Sequence, residues 1–297
     1  MTKRIVSIIL CLMLFLGLVA CGNEQSADNS DKNSSVSTSS SNSKAPSKDD
    51  TSKPVSNTET ASKEPEKPLV NIMPLGDSLT QGGNYKTGDN PDLVKSSSSY
   101  RSYLSKMLKD GGYNTKFVGS HDWAKDLIVD GNVMHSGYGG ATVFSLRDRL
   151  VESKDANPDI ILLMIGRNDM SDGTRPDDYV SFLDKHLIAE IYKMFPDVHI
   201  FLASIPVVRN HDKEELLMNA DTDYAPKIEE YVKQKKSAGA KIDFVDMRVS
   251  ATGLAIEDFT AEDFVHPQPA GYEKIAKQWY ASITGKITEI AEAKAAA

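Results

Sequence analysis

Ser78, His266 and Asp263 are the residues whose types and spacing can carry acyl transfer. Ser78 lies in Gly76-Asp77-Ser78-Leu79-Thr80-Gln81-Gly82, directly after the apolar run Leu69-Val70-Asn71-Ile72-Met73-Pro74-Leu75. That run reads as a buried first strand, so the hydroxyl sits where the chain leaves a sheet. If a helix follows, its free N–H groups bring partial positive charge to the place where an oxyanion would form. A serine nucleophile needs a base, ordinarily histidine at neutral pH. His266 stands just before the last helical stripe. Asp263, three residues earlier, can accept from the imidazole across one tight turn, fixing its tautomer and stabilising the imidazolium. Taken alone, the seven residues around Ser78 also fit an ordinary polar turn, which favours Gly, Asp and Ser.

Two further blocks offer donors for the oxyanion. His135-Ser136-Gly137-Tyr138-Gly139-Gly140-Ala141-Thr142 leads into Val143, Leu146 and Leu150, a helical spacing that predicts a helix starting near Ala141. A glycine loop entering a helix presents backbone N–H groups. Asp159-Ile160-Ile161-Leu162-Leu163-Met164-Ile165 is a continuous apolar run, as expected of a central parallel strand buried on both faces. It ends at Gly166-Arg167-Asn168-Asp169. Ligands of open α/β sheets bind at that end of the strands. The candidate donors are the backbone N–H groups of Ser78 and Gly140 and the side-chain amide of Asn168.

The remaining elements follow from periodicity. Strands are predicted at 69–75, 116–119, 159–165, 198–203 and 242–245, and helices over 100–109, from 141, across Val180, Leu183, Leu187, Ile191 and Met194, and over 224–236. Tyr272, Ile275, Ala276, Trp279, Tyr280 and Ile283 form a last helical stripe, followed by an Ala, Lys and Glu tail. Gly111 and Gly112 stop the first of the longer helices. His186 lies by a helix stripe and reads as a packing residue; His211, in the polar stretch 207–219, reads as solvent-exposed. Trp123 can stack on a sugar face, although such a ring more often covers a loop. Alternating strands and helices imply an α/β fold: a five-stranded parallel sheet with helices on both faces.

Composition narrows the function. The chain has 297 residues, 26% of them charged, with a formal net charge of −8. That balance argues against nucleic acid as partner and against an electrostatic grip on anionic lipid. Both cysteines, Cys11 and Cys21, precede the folded part, so neither a disulfide framework nor a thiolate metal site is expected within it. Lys3 and Arg4 followed by the apolar residues 5–20 read as a secretory signal. Residues 22–67 are Ser, Thr, Asn, Lys, Asp and Pro with almost no large apolar side chain. They read as a flexible tether of about 35–40 Å as a coil.

Gly-Asp-Ser-Leu, the glycine block, Gly-x-Asn-Asp and the late Asp-x-x-His together resemble the SGNH hydrolases, also called GDSL esterases and lipases. The resemblance implies a flavodoxin-like three-layer α/β/α sandwich, with Ser78 as nucleophile, Gly140 and Asn168 completing the oxyanion hole, and Asp263 and His266 finishing the triad. Gly-Tyr-Gly-Gly leaves Gly137 as an alternative donor; Gly140 is preferred because it directly precedes Ala141-Thr142, as the family's glycine precedes its helix. The phrases Ile72-Met73-Pro74-Leu75, Ser99-Tyr100-Arg101-Ser102-Tyr103-Leu104, Phe117-Val118-Gly119-Ser120 and Asn157-Pro158-Asp159-Ile160 are similar to the acetylxylan esterases of carbohydrate esterase family 3. Arg167 departs from the family, which commonly has Thr there. Its guanidinium can contact substrate, but is expected to pair with Asp169 or Asp77, as arginines near carboxylates ordinarily do. Leu18-Val19-Ala20-Cys21 resembles the bacterial lipobox, which implies lipidation at Cys21 and removal of residues 1–20.

The expected organisation is a signal at 1–20, a tether at 21–68, a hydrolase domain at 69–285 and a tail at 286–297. The expected function is a lipid-anchored bacterial cell-surface serine esterase that deacetylates polysaccharide such as xylan or small esters, with no metal or cofactor implied. A lipase, lysophospholipase or thioesterase of the same superfamily is the alternative enzyme. A glycan-binding surface lipoprotein without catalysis is the alternative of another class. Oligomeric state is left open.

Overall fold

The computed structural model describes residues 67–82, 99–122, 132 and 134–297. The signal, nearly all of the tether and Trp123 lie outside the described residues.

The sheet is parallel throughout. Strands β1 (Val70–Gly76), β2 (Thr115–Phe117), β3 (Ser136–Gly137), β4 (Ile160–Met164), β5 (His199–Ala203) and β6 (Ile242–Val245) are arranged β2-β1-β4-β5-β6, with β3 on the same edge of β1 as β2 but farther along. The five expected strands are all present, in the order of a flavodoxin-like sheet. β3 adds a short sixth, where only a glycine loop was expected. It pairs through Leu75–Ser136 and Gly76–Gly137 alone, too short to leave a periodic pattern.

Pro74 stands inside β1, in the middle of the sheet, where a missing N–H is normally costly. The even residues of β1 face the β2/β3 edge: Ile72 O accepts from Val118 N and Gly76 O from Tyr138 N. Pro74 falls between them, where β2 has ended and β3 has not begun. Its absent donor therefore faces the gap between two neighbours. β4 is buried along its whole length, which is why it carries five consecutive apolar side chains.

After β1 comes a single helical turn, α1 (Ser78–Gln81). The longer helices are α2 (Ser99–Asp110), α3 (Val143–Arg149), α5 (Pro176–Phe182) continuing through a wide turn at Leu183–Ile188 into α6 (Ala189–Met194), α7 (Ala225–Ser237) and α9 (Pro269–Ala295); two short ones are α4 (Arg167–Ser171) and α8 (Val249–Thr252). α2 packs on α9, where Tyr100 and Trp279 place their ring centres 5.9 Å apart. His186 lies among Phe144 and Phe182 at 4.9 and 6.2 Å, a packing residue between helices. Segment 286–297 is not set apart from the domain as a tail. α9 runs on to Ala295 because Ile287 continues its apolar stripe into the core, and Lys294 reaches Asp159 Oδ2 and Leu69 O at 2.6 and 2.9 Å.

Candidate active site

The sheet topology places the crevice of an open α/β fold at the C-terminal ends of β1 and β4. From β1 the chain moves outward to β2, and from β4 it runs the other way toward β6. Such a reversal opens a gap above the sheet.

Ser78 opens α1, the turn that follows β1. Gly76 is needed at the strand's end, since a Cβ there would lie 2.0 Å from the Met164 carbonyl oxygen of β4. Asp77 is buried and caps the turn: its Oδ1 accepts from Leu79 N at 2.9 Å. Burial raises the Asp77 carboxyl to about 6, partly offset by the Leu79 N–H. As first helical residue, Ser78 has an N–H with no acceptor inside the helix, the kind of donor an oxyanion can use. The other end of the turn is held by Arg101, fully buried, whose Nε and Nη2 donate to Thr80 O and Gln81 O at 3.0 Å each.

The loop before α9 brings the base. His266 Nε2 lies 2.8 Å from Ser78 Oγ, and its Nδ1 lies 3.0 Å from both carboxylate oxygens of Asp263. Burial pushes the Asp263 carboxyl up, but hydrogen bonds from the His266 ring and from the His266 and Val265 backbone N–H groups outweigh it and hold the group below its ordinary value. Asp263 N is itself tied to Thr260 Oγ1 at 2.8 Å. The three side chains expected to meet thus form one hydrogen-bonded chain.

Asn168 stands on α4, after β4. Its Nδ2 donates to Ala141 O at 2.8 Å, which leaves the amide's second N–H for another acceptor. Asp169 is buried, and its two oxygens accept from Val143 N at 3.2 Å each. Together they stitch the turn after β4 to the start of α3. Gly166 is held at φ +113°, and a Cβ there would strike the buried ring of Tyr179, whose hydroxyl donates to Ile165 O at 2.8 Å.

The structure separates the two candidate glycines. Gly137 is buried, its N–H donates to His135 Nδ1 at 3.1 Å, and a Cβ on it would lie 2.5 Å from Gln81 N. It lets β3 pack on the turn that carries Ser78. Gly140 is exposed, at φ +73°, with open space around a Cβ.

The expected pairing of Arg167 with Asp169 or Asp77 does not occur. Asp169 is committed to Val143 N and Asp77 to Leu79 N, and the Arg167 Nη2 goes instead to Ser171 Oγ at 2.9 Å. Sequence reading gave no site role to Asp77, Arg101 or Asp169. Arg101 stood in a phrase that carries the family resemblance, but its burial was missed because a charged side chain on an amphipathic helix reads as surface.

The model of the GDSL-like Lipase/Acylhydrolase family matches residues 75–274, a span that takes in all four blocks. The chain belongs to this family. Over 241 residues this GDSL-family chain is 31% identical to a multidomain esterase of Ruminococcus flavefaciens, covering 73% of the chain and 29% of that protein. The chain therefore spans under a third of that relative's length. It superposes on a family 3 carbohydrate esterase of Clostridium thermocellum with a TM-score of 0.60 and 27% identity, covering 75% of this chain and 100% of that one. A family 3 carbohydrate esterase from Talaromyces cellulolyticus shares the fold, with a TM-score of 0.59, 19% identity and coverage of 74% and 99%.

Proposed function

We propose that this GDSL-family chain is a serine esterase that removes O-acetyl groups from polysaccharide, with xylan as the polymer. The observation that carries the reading is the hydrogen-bonded run Ser78–His266–Asp263 at the mouth of the crevice. The likeness to a family 3 carbohydrate esterase supports the choice of acetylated carbohydrate.

Ser78 Oγ attacks the acetyl carbonyl carbon while His266 Nε2 takes the hydroxyl proton. Asp263 steadies the imidazolium through Nδ1. The carbonyl electron pair moves onto oxygen, where the Ser78 and Gly140 N–H groups and the Asn168 amide receive it, each donor contributing about 2.7–4 kcal/mol by analogy with measured oxyanion holes. Collapse breaks the bond to the sugar oxygen, which leaves with the proton from His266. Acetyl-serine remains. Water, deprotonated by His266, attacks it and releases acetate and free Ser78.

Acetate release from a panel of acetylated polysaccharides tests the reading. Release from acetylxylan that is lost in Ser78→Ala supports it. A preference for long-chain over acetyl p-nitrophenyl esters would move the chain to the lipolytic side of the family, and a Ser78→Ala variant that still releases acetate would overturn the serine mechanism.

We also propose that Cys21 is lipidated and anchors the chain at the bacterial cell surface, from the basic, apolar and Leu-Val-Ala-Cys order of the first residues. Metabolic labelling with an alkyne fatty acid, lost in Cys21→Ser, is the expected outcome.

A further inference from the structure

Arg167 is a charged side chain beside the proposed oxyanion donor that the mechanism above leaves unused. It immediately precedes Asn168 on α4. Its Nη2 donates to Ser171 Oγ at 2.9 Å, while Nε and Nη1 are shielded from solvent and have no acceptor. A guanidinium does not shed its proton in a protein, so these are two permanent donors withdrawn from water and left unmet. Buried polar groups almost always find partners, and an exception at a crevice needs a reason.

The surroundings say what is missing. Burial weakens the guanidinium's hold on its proton; the Asp77 carboxylate opposes this, and the uncharged Tyr224 hydroxyl also stands near. Neither bonds to it: Asp77 caps the serine turn, and the Tyr224 hydroxyl donates to Thr174 O. Asp169, the next acidic neighbour in sequence, is spent on Val143 N. The fork therefore stands without a counter-ion, parked on a serine hydroxyl that is itself bonded to the Arg167 carbonyl at 3.1 Å. Ser171 is a weak acceptor for a full charge and an easily displaced one. A carboxylate or phosphate presents two oxygens at the spacing of the guanidinium fork and matches it far better.

We propose that Arg167 is a specificity-determining residue that binds an oxyanion carried by the substrate near its acetyl ester, and that the preferred glycan is an acidic one, bearing uronate carboxylates. This rests on the carbohydrate esterase reading above. The chain's net charge of −8 does not oppose it, because repulsion from distant charges is screened beyond about 8 Å at physiological salt while a contact at the crevice is not.

The test compares kcat/KM for acetate release by the full chain from three substrates: neutral acetylated xylo-oligosaccharides, the same oligosaccharides with uronic acid branches, and acetylated glucose 6-phosphate. Wild type is expected to favour the uronate-bearing oligosaccharide over the neutral one by tenfold or more, mainly through KM, and to lose that margin as salt is raised. In Arg167→Met the margin should fall to twofold or less. Arg167→Lys, which keeps the charge without the fork, should restore part of it. A phosphate preference abolished by the same variant would keep the oxyanion site and overturn the uronate. Equal kcat/KM on the neutral and charged substrates in wild type, or a margin that survives Arg167→Met, would overturn the assignment of Arg167 alone. No acetate from any of the three would overturn the glycan reading and this one with it.

Discussion

The Ser78 hydroxyl and His266 Nε2 are 188 residues apart in sequence and 2.8 Å apart in space. The sheet's reversal between β1 and β4 provides the crevice, and the loop before α9 carries the imidazole into it. Removing either side chain is expected to lower kcat by about 10³-fold or more. Because the two act as one unit, the double variant Ser78→Ala/His266→Ala should be no worse than the poorer single. Steady-state rates on p-nitrophenyl acetate check this, and losses that multiply would mean that the two act independently.

Asp77 makes folding depend on pH. Its carboxyl stands near 6 in the folded chain against 3.8 unfolded, chiefly because it is buried. The folded protein thus holds this proton more tightly than the unfolded chain does. The resulting stability is fully present below pH 3.8 and is lost as pH rises through 6, a swing of about 3 kcal/mol. Asp77→Asn keeps an oxygen for the Leu79 N–H and does not titrate. Relative to wild type, this variant should therefore gain stability between pH 4 and pH 7 in urea unfolding. Two curves that run parallel across that window would show an Asp77 carboxyl in the ordinary range.

The parts of this fold that sequence discloses are those written in repeated residue types. β4 shows itself because burial on both faces leaves no polar position, and the stripe of α9 because the apolar residues from Tyr272 to Ile283 recur at helical spacing. The site was legible as four short blocks, each at the end of a strand or the start of a helix. What was hidden is paired in space rather than patterned in sequence. β3 is two residues long and defined only by its partners in β1. The end of α9 is hidden because Ile287 sits among Ala, Lys and Glu. Arg167 was misread because proximity in sequence to two carboxylates says nothing of where those carboxylates turn.

Gly137 and Gly140 stand three residues apart and should respond oppositely to the same substitution. A methyl group on Gly137 would meet backbone atoms of Gln81 at 2.5 and 2.8 Å, which cannot move without disturbing the serine turn. Gly137→Ala is expected to cost more than about 3 kcal/mol, in the range of severe overpacking. Gly140→Ala meets nothing within 4 Å and carries only the strain of φ +73°, about 1 kcal/mol. Urea midpoints of the two variants check the contrast, and equal losses would mean that β3 does not press on α1 as described.

Arg101 should matter to stability and to rate together. The turn that presents Ser78 has four residues, too few to hold itself by its own hydrogen bonds. Arg101 supplies donors to the carbonyls of Thr80 and Gln81, and Ser99 Oγ adds another to Thr80 O at 3.0 Å. Arg101→Met fills similar volume but leaves buried carbonyls short of partners. The expected cost is about 2–4 kcal/mol, since each lost bond involves a charged donor. The loosened turn should also misplace the nucleophile, so kcat should fall by tenfold or more while KM changes little, because Arg101 is wholly buried and touches no substrate. Urea unfolding and steady-state kinetics on the same preparation read both effects. A destabilised variant with unaltered kcat would show that the Asp77 cap and β1 alone fix the position of Ser78.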